Sequence, residues 1–233
     1  MRVALIGDSL TEGRPGVSFS NLLQEKYPKI TFTNLGKSGE TVKSLHSRLI
    51  KEPLATDYDF AFLWIGVNDV YSKLLKVQAQ PVVKDHEEFR TYFTKVVELV
   101  RPSSKQIIIV SPAIVGENML NEPNQELKDL SAIMQSVSLK YQNIYFLNLQ
   151  SVFEQQLANV TSSDYIGTSI LSVMKDVLFY KKSSRINQLS KKRGLHLTLD
   201  GIHFNSKGAK IVADEYATKI DQLLFTNNSE LTS

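Results

Sequence analysis

Cysteine is absent from the 233 residues, so disulfides, thiolate zinc sites and a cysteine nucleophile are all excluded. Long apolar runs are absent too, and nothing approaches the roughly 18–20 consecutive apolar residues of a membrane span. The amino terminus offers one arginine and then only Val3 to Ile6 before a glycine. That falls short of the about 7–15 residues of a signal-peptide core, and a cytoplasmic protein is expected. Charge of one sign is scarce: 27 Lys and Arg against 24 Asp and Glu leave a net +3, too little for a nucleic-acid partner to be expected. No internal repeat, low-complexity tract, linker or metal-ligand spacing is visible. The phosphate-cradling Gly-x-x-x-x-Gly-Lys pattern is missing, which removes the main support for a nucleotide-binding protein.

What is present is an ordinary composition, 42% apolar and 22% charged, long enough to bury a sizeable core. Apolar runs at Val3–Ile6, Ile30–Leu35, Phe60–Ile65, Gln106–Val110 and Ile144–Leu149 read as strands. Between them, Phe19/Leu22/Leu23/Tyr27, Val42/Leu45/Leu49, Phe89/Tyr92/Phe93/Val96/Val97/Val100 and Leu127/Leu130/Ile133/Met134/Val137/Tyr141 recur at helical spacing. Thr11 to Gly16 reads as loop. This alternation predicts an α/β fold with a mostly parallel five-stranded sheet covered on both faces. From about Leu157 to Leu197 the alternation lapses into an insert. Ile166, Ile170, Val173, Met174, Val177 and Leu178 predict a helix inside it, followed by a basic cluster of Lys181, Lys182, Arg185, Lys191, Lys192 and Arg193. A last helix carries Ala209, Val212, Ala213, Tyr216, Ile220 and Leu223 inward. One domain over residues 1–226 is expected, with 227–233 as a polar, frayed tail.

The first strand runs into Gly7-Asp8-Ser9-Leu10, which places a serine hydroxyl at the carboxyl end of a sheet, where open α/β folds bind ligands. A serine alone is inert; it needs a base, an orienting acid and oxyanion donors. Histidine is scarce, with four in the chain. His46 and His86 fall on helix surfaces among polar neighbours, and His196 sits between two leucines as a structural residue. His203 lies in a turn before a helix, three residues after Asp200. A carboxylate at that distance can hold Nδ1–H while Nε2 faces a nucleophile; a loop-capping acid beside a packed histidine accounts for the same tetrapeptide. For the oxyanion, the backbone N–H groups of Ser9 and Gly39 and the side-chain amide of Asn68 are candidates, and each is also an ordinary turn or cap residue. Together, four strand-end or pre-helix loops each carry one part of a serine hydrolase site.

These blocks resemble, in order, those of the GDSL, or SGNH, hydrolases: Gly7-Asp8-Ser9-Leu10, Asn34-Leu35-Gly36-Lys37-Ser38-Gly39-Glu40-Thr41, Gly66-Val67-Asn68-Asp69 and Asp200-Gly201-Ile202-His203. The resemblance spans about residues 2 to 223. It implies a flavodoxin-like three-layer α/β/α fold. It implies Ser9 as nucleophile, His203 as base and Asp200 as orienting acid, with Ser9, Gly39 and Asn68 forming the oxyanion hole. Gly39 rather than Gly36 is assigned as donor because the family's donor sits just before the acidic-Thr end of the block. Val67 replaces the second glycine usual in the third block, and the insert is longer than in many members. No cofactor or metal is implied, and the partner is a small ester. The expected reaction is removal of a short acyl group, with acetyl on a carbohydrate in view. A lysophospholipase or thioesterase using the insert helix as an apolar channel is the alternative within the enzymes; a non-catalytic glycan- or partner-binding domain is the one outside them.

Overall fold

The computed structural model describes residues 1–75, 80–168 and 182–230. Five strands, β1 (Arg2–Gly7), β2 (Thr31–Gly36), β3 (Tyr58–Trp64), β4 (Ser104–Val110) and β5 (Ile144–Leu147), form one sheet in the order β2-β1-β3-β4-β5. Every neighbouring pair is parallel. The burial of each strand follows from its place. In the centre, β1 is apolar and buried from Val3 onward, and Ile107 to Val110 of β4 are fully buried. Such strands must be apolar on both faces because helices cover both. The edge strands β2 and β5 are mostly half-exposed and tolerate Thr31, Thr33, Asn34 and Tyr145.

The covering helices are α1 (Ser9–Glu12), α2 (Phe19–Lys26), α3 (Val42–Lys51), α4 (Val67–Tyr71), α5 (His86–Val100), α6 (Glu122–Ser138), α7 (Leu149–Leu157), α8 (Ser183–Lys192) and α9 (Ser206–Glu230). On one face α2 packs with α9; on the other α3, α5 and α6 pack side by side, which completes the three-layer α/β/α arrangement. The α2/α9 face is aromatic: Phe62 stacks on Tyr216, Trp64 stacks on Phe204, and Phe19 meets Trp64 edge-on. Helix starts are set by local chemistry. Thr41 closes a capping box with Ser44, Asp85 accepts from the N–H of Glu88, and Asn121 accepts from that of Asn124.

Gly7 is paired with Gly36 on one side and Trp64 on the other, and Trp64 with Val110, so the strand carboxyl ends finish level. The chain leaves β1 toward β2 at one edge and returns on the far side as β3. The crevice between the ends of β1 and β3 is the switch point at which this topology places ligands.

Several boundaries differ from the sequence expectation. A short helix, capped by Asp8, runs from Ser9 to Glu12 and so takes in Thr11 and Glu12, where loop was expected. β5 stops at Leu147 because Asn148 accepts from the N–H of Ser151 and starts α7, which was not expected at all. Helix α8 carries the basic stretch and buries Ile186 and Ser190. Helix α9 stays helical past Asn227, the expected start of the tail. Of the helix expected over Ile166–Leu178, the positions from 169 on lie outside the described residues; Ile166 to Thr168 are not helical.

Candidate active site

Ser9 leaves the end of β1 as the first residue of α1. The turn demands Gly7: a Cβ there would lie 2.3 Å from both the Trp64 carbonyl and Thr11 Oγ1. Asp8 then accepts the N–H of Leu10 on Oδ1 at 2.9 Å, fixing the first turn. Asp200 and His203 reach the same place from the loop between α8 and α9. Gly201 at φ +91° makes the turn between them, and a Cβ on it would strike the Tyr165 carbonyl at 2.7 Å.

The three side chains meet in an unbroken chain. Ser9 Oγ lies 3.0 Å from His203 Nε2, and His203 Nδ1 lies 2.7 Å from Asp200 Oδ2. All three are buried, at 5%, 5% and 2% exposure, so the pair contacts are little screened by water. The other Asp200 oxygen accepts the backbone N–H groups of Ile202 and His203. Burial alone would raise the Asp200 carboxyl, but the charge of His203 and these hydrogen bonds outweigh it and hold the carboxyl below its ordinary value. The ionised form of Asp200 is therefore favoured beside the imidazole. Such a chain can take the proton of Ser9 and return it.

The two glycines of the second block are distinct. A Cβ on Gly36 would sit 2.2 Å from the Glu12 nitrogen, and the N–H of Gly36 donates to Asn34 Oδ1. Gly39, at φ +75°, faces open space. Packing thus explains Gly36, whereas Gly39 is called for by its left-handed backbone and not by a close neighbour. Asn68 stands on α4, whose cap Gly66 has φ +113°. Val67 takes helical backbone and is buried, so glycine is not required at that position. The Asn68 amide donates to the Glu40 carbonyl at 3.1 Å and to Asp8 Oδ2 at 3.3 Å. Asp8, which accepts from this amide, and Asp69, which faces the charge of Asp8, are both buried. Burial pushes Asp8 up to about 7 against the N–H of Leu10 and the charge of His203; it pushes Asp69 to about 7 as well, against the N–H of Val42.

The remaining histidines stay apart. His46 meets Tyr92 edge-on, His86 is exposed on α5, and His196 Nε2 contacts the Thr161 carbonyl. Lys182, Arg185, Lys191 and Lys192 are exposed on or beside α8, and Lys181 lies outside the described residues. Arg193 donates to the Leu199 carbonyl and covers the Tyr165 ring. The described start of the insert packs on the loop that carries Asp200 and His203: the N–H of Gly167 donates to the Asp200 carbonyl, and Tyr71 of α4 donates its hydroxyl to the Gly167 carbonyl. Burial first, and the charge of Asp200 second, push the Tyr71 phenol upward. Neither Tyr71 nor the buried Glu117 carries a sequence signal that points to the site. Among the described residues no group of three or more His, Asp and Glu could hold a metal ion, and no helix is long and apolar enough to cross a membrane.

The model of the GDSL-like lipase/acylhydrolase family matches residues 5–211. The chain belongs to that family. It is a serine ester hydrolase of the GDSL type. An acetylxylan esterase of Geobacillus stearothermophilus is 24% identical over 178 residues, which covers 67% of this chain and 79% of the relative. Among solved structures, the α/β hydrolase LAE5 from the metagenome of Lake Arreo, Spain, matches with TM-score 0.68 and 19% identity over 93% of each chain. A catalytic mutant of the Geobacillus esterase Axe2 matches with TM-score 0.66 and 20% identity, over 94% of this chain and 93% of the other. At these identities the structural likeness speaks for the fold. The Axe2 catalytic mutants replace a serine, an aspartate and a histidine by alanine, the last two standing three positions apart.

Proposed function

We propose that this hydrolase removes a short acyl group, acetyl foremost, from a carbohydrate or similar small alcohol through an acyl-enzyme on Ser9. The observation that carries the reading is the continuous Ser9–His203–Asp200 chain at 3.0 and 2.7 Å. Ser9 attacks the ester carbonyl as His203 Nε2 takes its proton. Asp200 holds the imidazole by Nδ1 and stabilises the cation that forms. His203 then protonates the leaving alcohol, and water repeats the cycle on the acyl-enzyme. The spacing of the aspartate and histidine replaced in the Axe2 catalytic mutants supports the assignment of Asp200 and His203. The acetyl preference draws on the acetylxylan esterase relative.

The tetrahedral oxyanion would lie among the N–H groups of Ser9 and Gly39 and the Asn68 amide. In the resting site both Asn68 hydrogens face protein acceptors, and the one directed at Asp8 is the longer contact. That hydrogen is the one an oxyanion would take over. Asn68→Ala is expected to lower kcat on the order of 10²–10³-fold, with KM little changed. Steady-state hydrolysis of an aryl acetate measures it, and a loss under about threefold would remove Asn68 from the oxyanion hole.

Substrate class is tested with aryl esters of rising acyl length beside acetylated xylo-oligosaccharides, with Ser9→Ala as the blank. A steep fall in kcat/KM beyond acetate or butyrate is expected. A rate that rises toward octanoate would overturn the short-acyl reading in favour of a lysophospholipase or thioesterase.

A further inference from the structure

The catalytic loop is gripped by a residue that takes no part in the chemistry. Residues Leu197, Thr198 and Leu199 are fully buried, yet this segment forms no ladder with a strand apart from the isolated Thr198–Phe204 bridge. Its backbone N–H groups must still find acceptors. Glu117, in the loop after β4 and 4% exposed, supplies them for Leu197 and Thr198, while the N–H of Leu199 donates to the His203 carbonyl at 2.7 Å. One carboxylate oxygen accepts the N–H of Leu197, the N–H of Thr198 and the Thr198 hydroxyl at 2.7, 2.8 and 2.9 Å. The other accepts the N–H of His196 at 2.7 Å and the Ser162 hydroxyl at 2.9 Å.

The grip continues into the reacting pair. Thr198 Oγ1, oriented by donating to Glu117, accepts the N–H of Gly201 at 3.1 Å. The neighbour of Glu117, Gly116, donates its N–H to the Gly201 carbonyl at 2.7 Å. The Gly116–Glu117 loop therefore holds both polar groups of the Gly201 peptide, one directly and one through Thr198. Gly201 is the turn that brings His203 back over Asp200.

We propose that Glu117, acting through Thr198, is a positioning residue for the Asp200–His203 pair, so that turnover depends on it although it touches neither substrate nor Ser9. This rests on the triad reading above. The geometry makes the link selective. Valine in place of Thr198 keeps the shape, deletes the hydroxyl that bridges Glu117 to Gly201, and leaves the Glu117 bonds to the backbone of residues 196–198. Glutamine in place of Glu117 turns an NH₂ toward N–H donors whichever way the amide is placed.

The experiment compares Thr198→Val, Thr198→Ser and Glu117→Gln with the wild type by kcat, KM, the pH profile of kcat/KM and thermal unfolding. Active sites are counted with a fluorophosphonate that labels serine nucleophiles. Per labelled site, Thr198→Val is expected to lose kcat about tenfold or more, within the 10²-fold that a 1 Å misplacement can cost. Its KM should hold, and Thr198→Ser should restore the rate. The acid limb of kcat/KM should move to lower pH, because a loosened carboxylate favours the imidazolium less. Wild-type kcat and pH profile in Thr198→Val, with only the unfolding temperature lowered, would overturn the proposal. If Glu117→Gln fails to fold, Thr198→Val alone decides. Failure of wild-type labelling at Ser9 would instead indict the triad reading, so the two failures are told apart.

Discussion

Ser9→Ala should abolish ester hydrolysis, with kcat falling on the order of 10⁶-fold, as when the nucleophile of a serine protease is removed. The structure gives the reason. Ser9 Oγ lies within hydrogen-bond reach of His203 Nε2 at the end of β1, and an alanine puts a methyl group in its place. The residual rate should be what binding and the oxyanion donors give to attack by water. The fold should survive, because alanine suits the first turn of α1 and the Asp8 cap does not depend on the Ser9 hydroxyl. Far-ultraviolet circular dichroism and thermal unfolding beside kinetics on an aryl acetate check both halves. A variant that keeps the fold and a tenth of the activity would remove Ser9 from the mechanism.

Asp200→Asn is the second large effect, a loss on the order of 10⁴-fold in kcat at neutral pH. One carboxylate oxygen of Asp200 accepts two backbone N–H groups and the other holds His203 Nδ1. An amide can satisfy the first pair with its oxygen, but its NH₂ then points at Nδ1. The imidazole would respond by carrying its proton on Nε2, toward Ser9, where it can no longer act as base. Charge adds to this, because Asp200 is buried and its carboxylate is the counter-charge of the imidazolium. The kcat/KM profile from acid to alkaline pH measures it. A loss under about tenfold would show that another group orients His203.

Legibility in the sequence differs by feature. The strands of the centre were readable because burial on both faces forces continuous apolar runs, as in Phe60 to Ile65. Gly7, Ser9, Gly39, Asn68, Asp200 and His203 stood out because each sits where a strand ends or a helix begins, and their order matched the family blocks. The helices α7 and α8 did not, for a physical reason. Helix α8 buries only Ile186 and Ser190, so it lacks an apolar stripe, and α7 begins at an Asn148 cap that looks like the continuation of a strand. Glu117 was invisible for a different reason. Its partners lie around residues 162 and 196–198, and no local spacing encodes a contact over 45 positions or more. The choice between Gly36 and Gly39 rested on the motif alone; close packing of Gly36 against Glu12 and open space at Gly39 supply a physical distinction that the sequence does not contain.

In the proposed mechanism Ser9 is the attacking group and His203 its base. Intact-protein and peptide mass spectrometry after treatment with a fluorophosphonate tests it most directly. One adduct per chain is expected, on the peptide that holds Ser9, with none on Ser9→Ala and strongly slowed labelling of His203→Ala. An adduct on another residue, or undiminished labelling of Ser9→Ala, would contradict it.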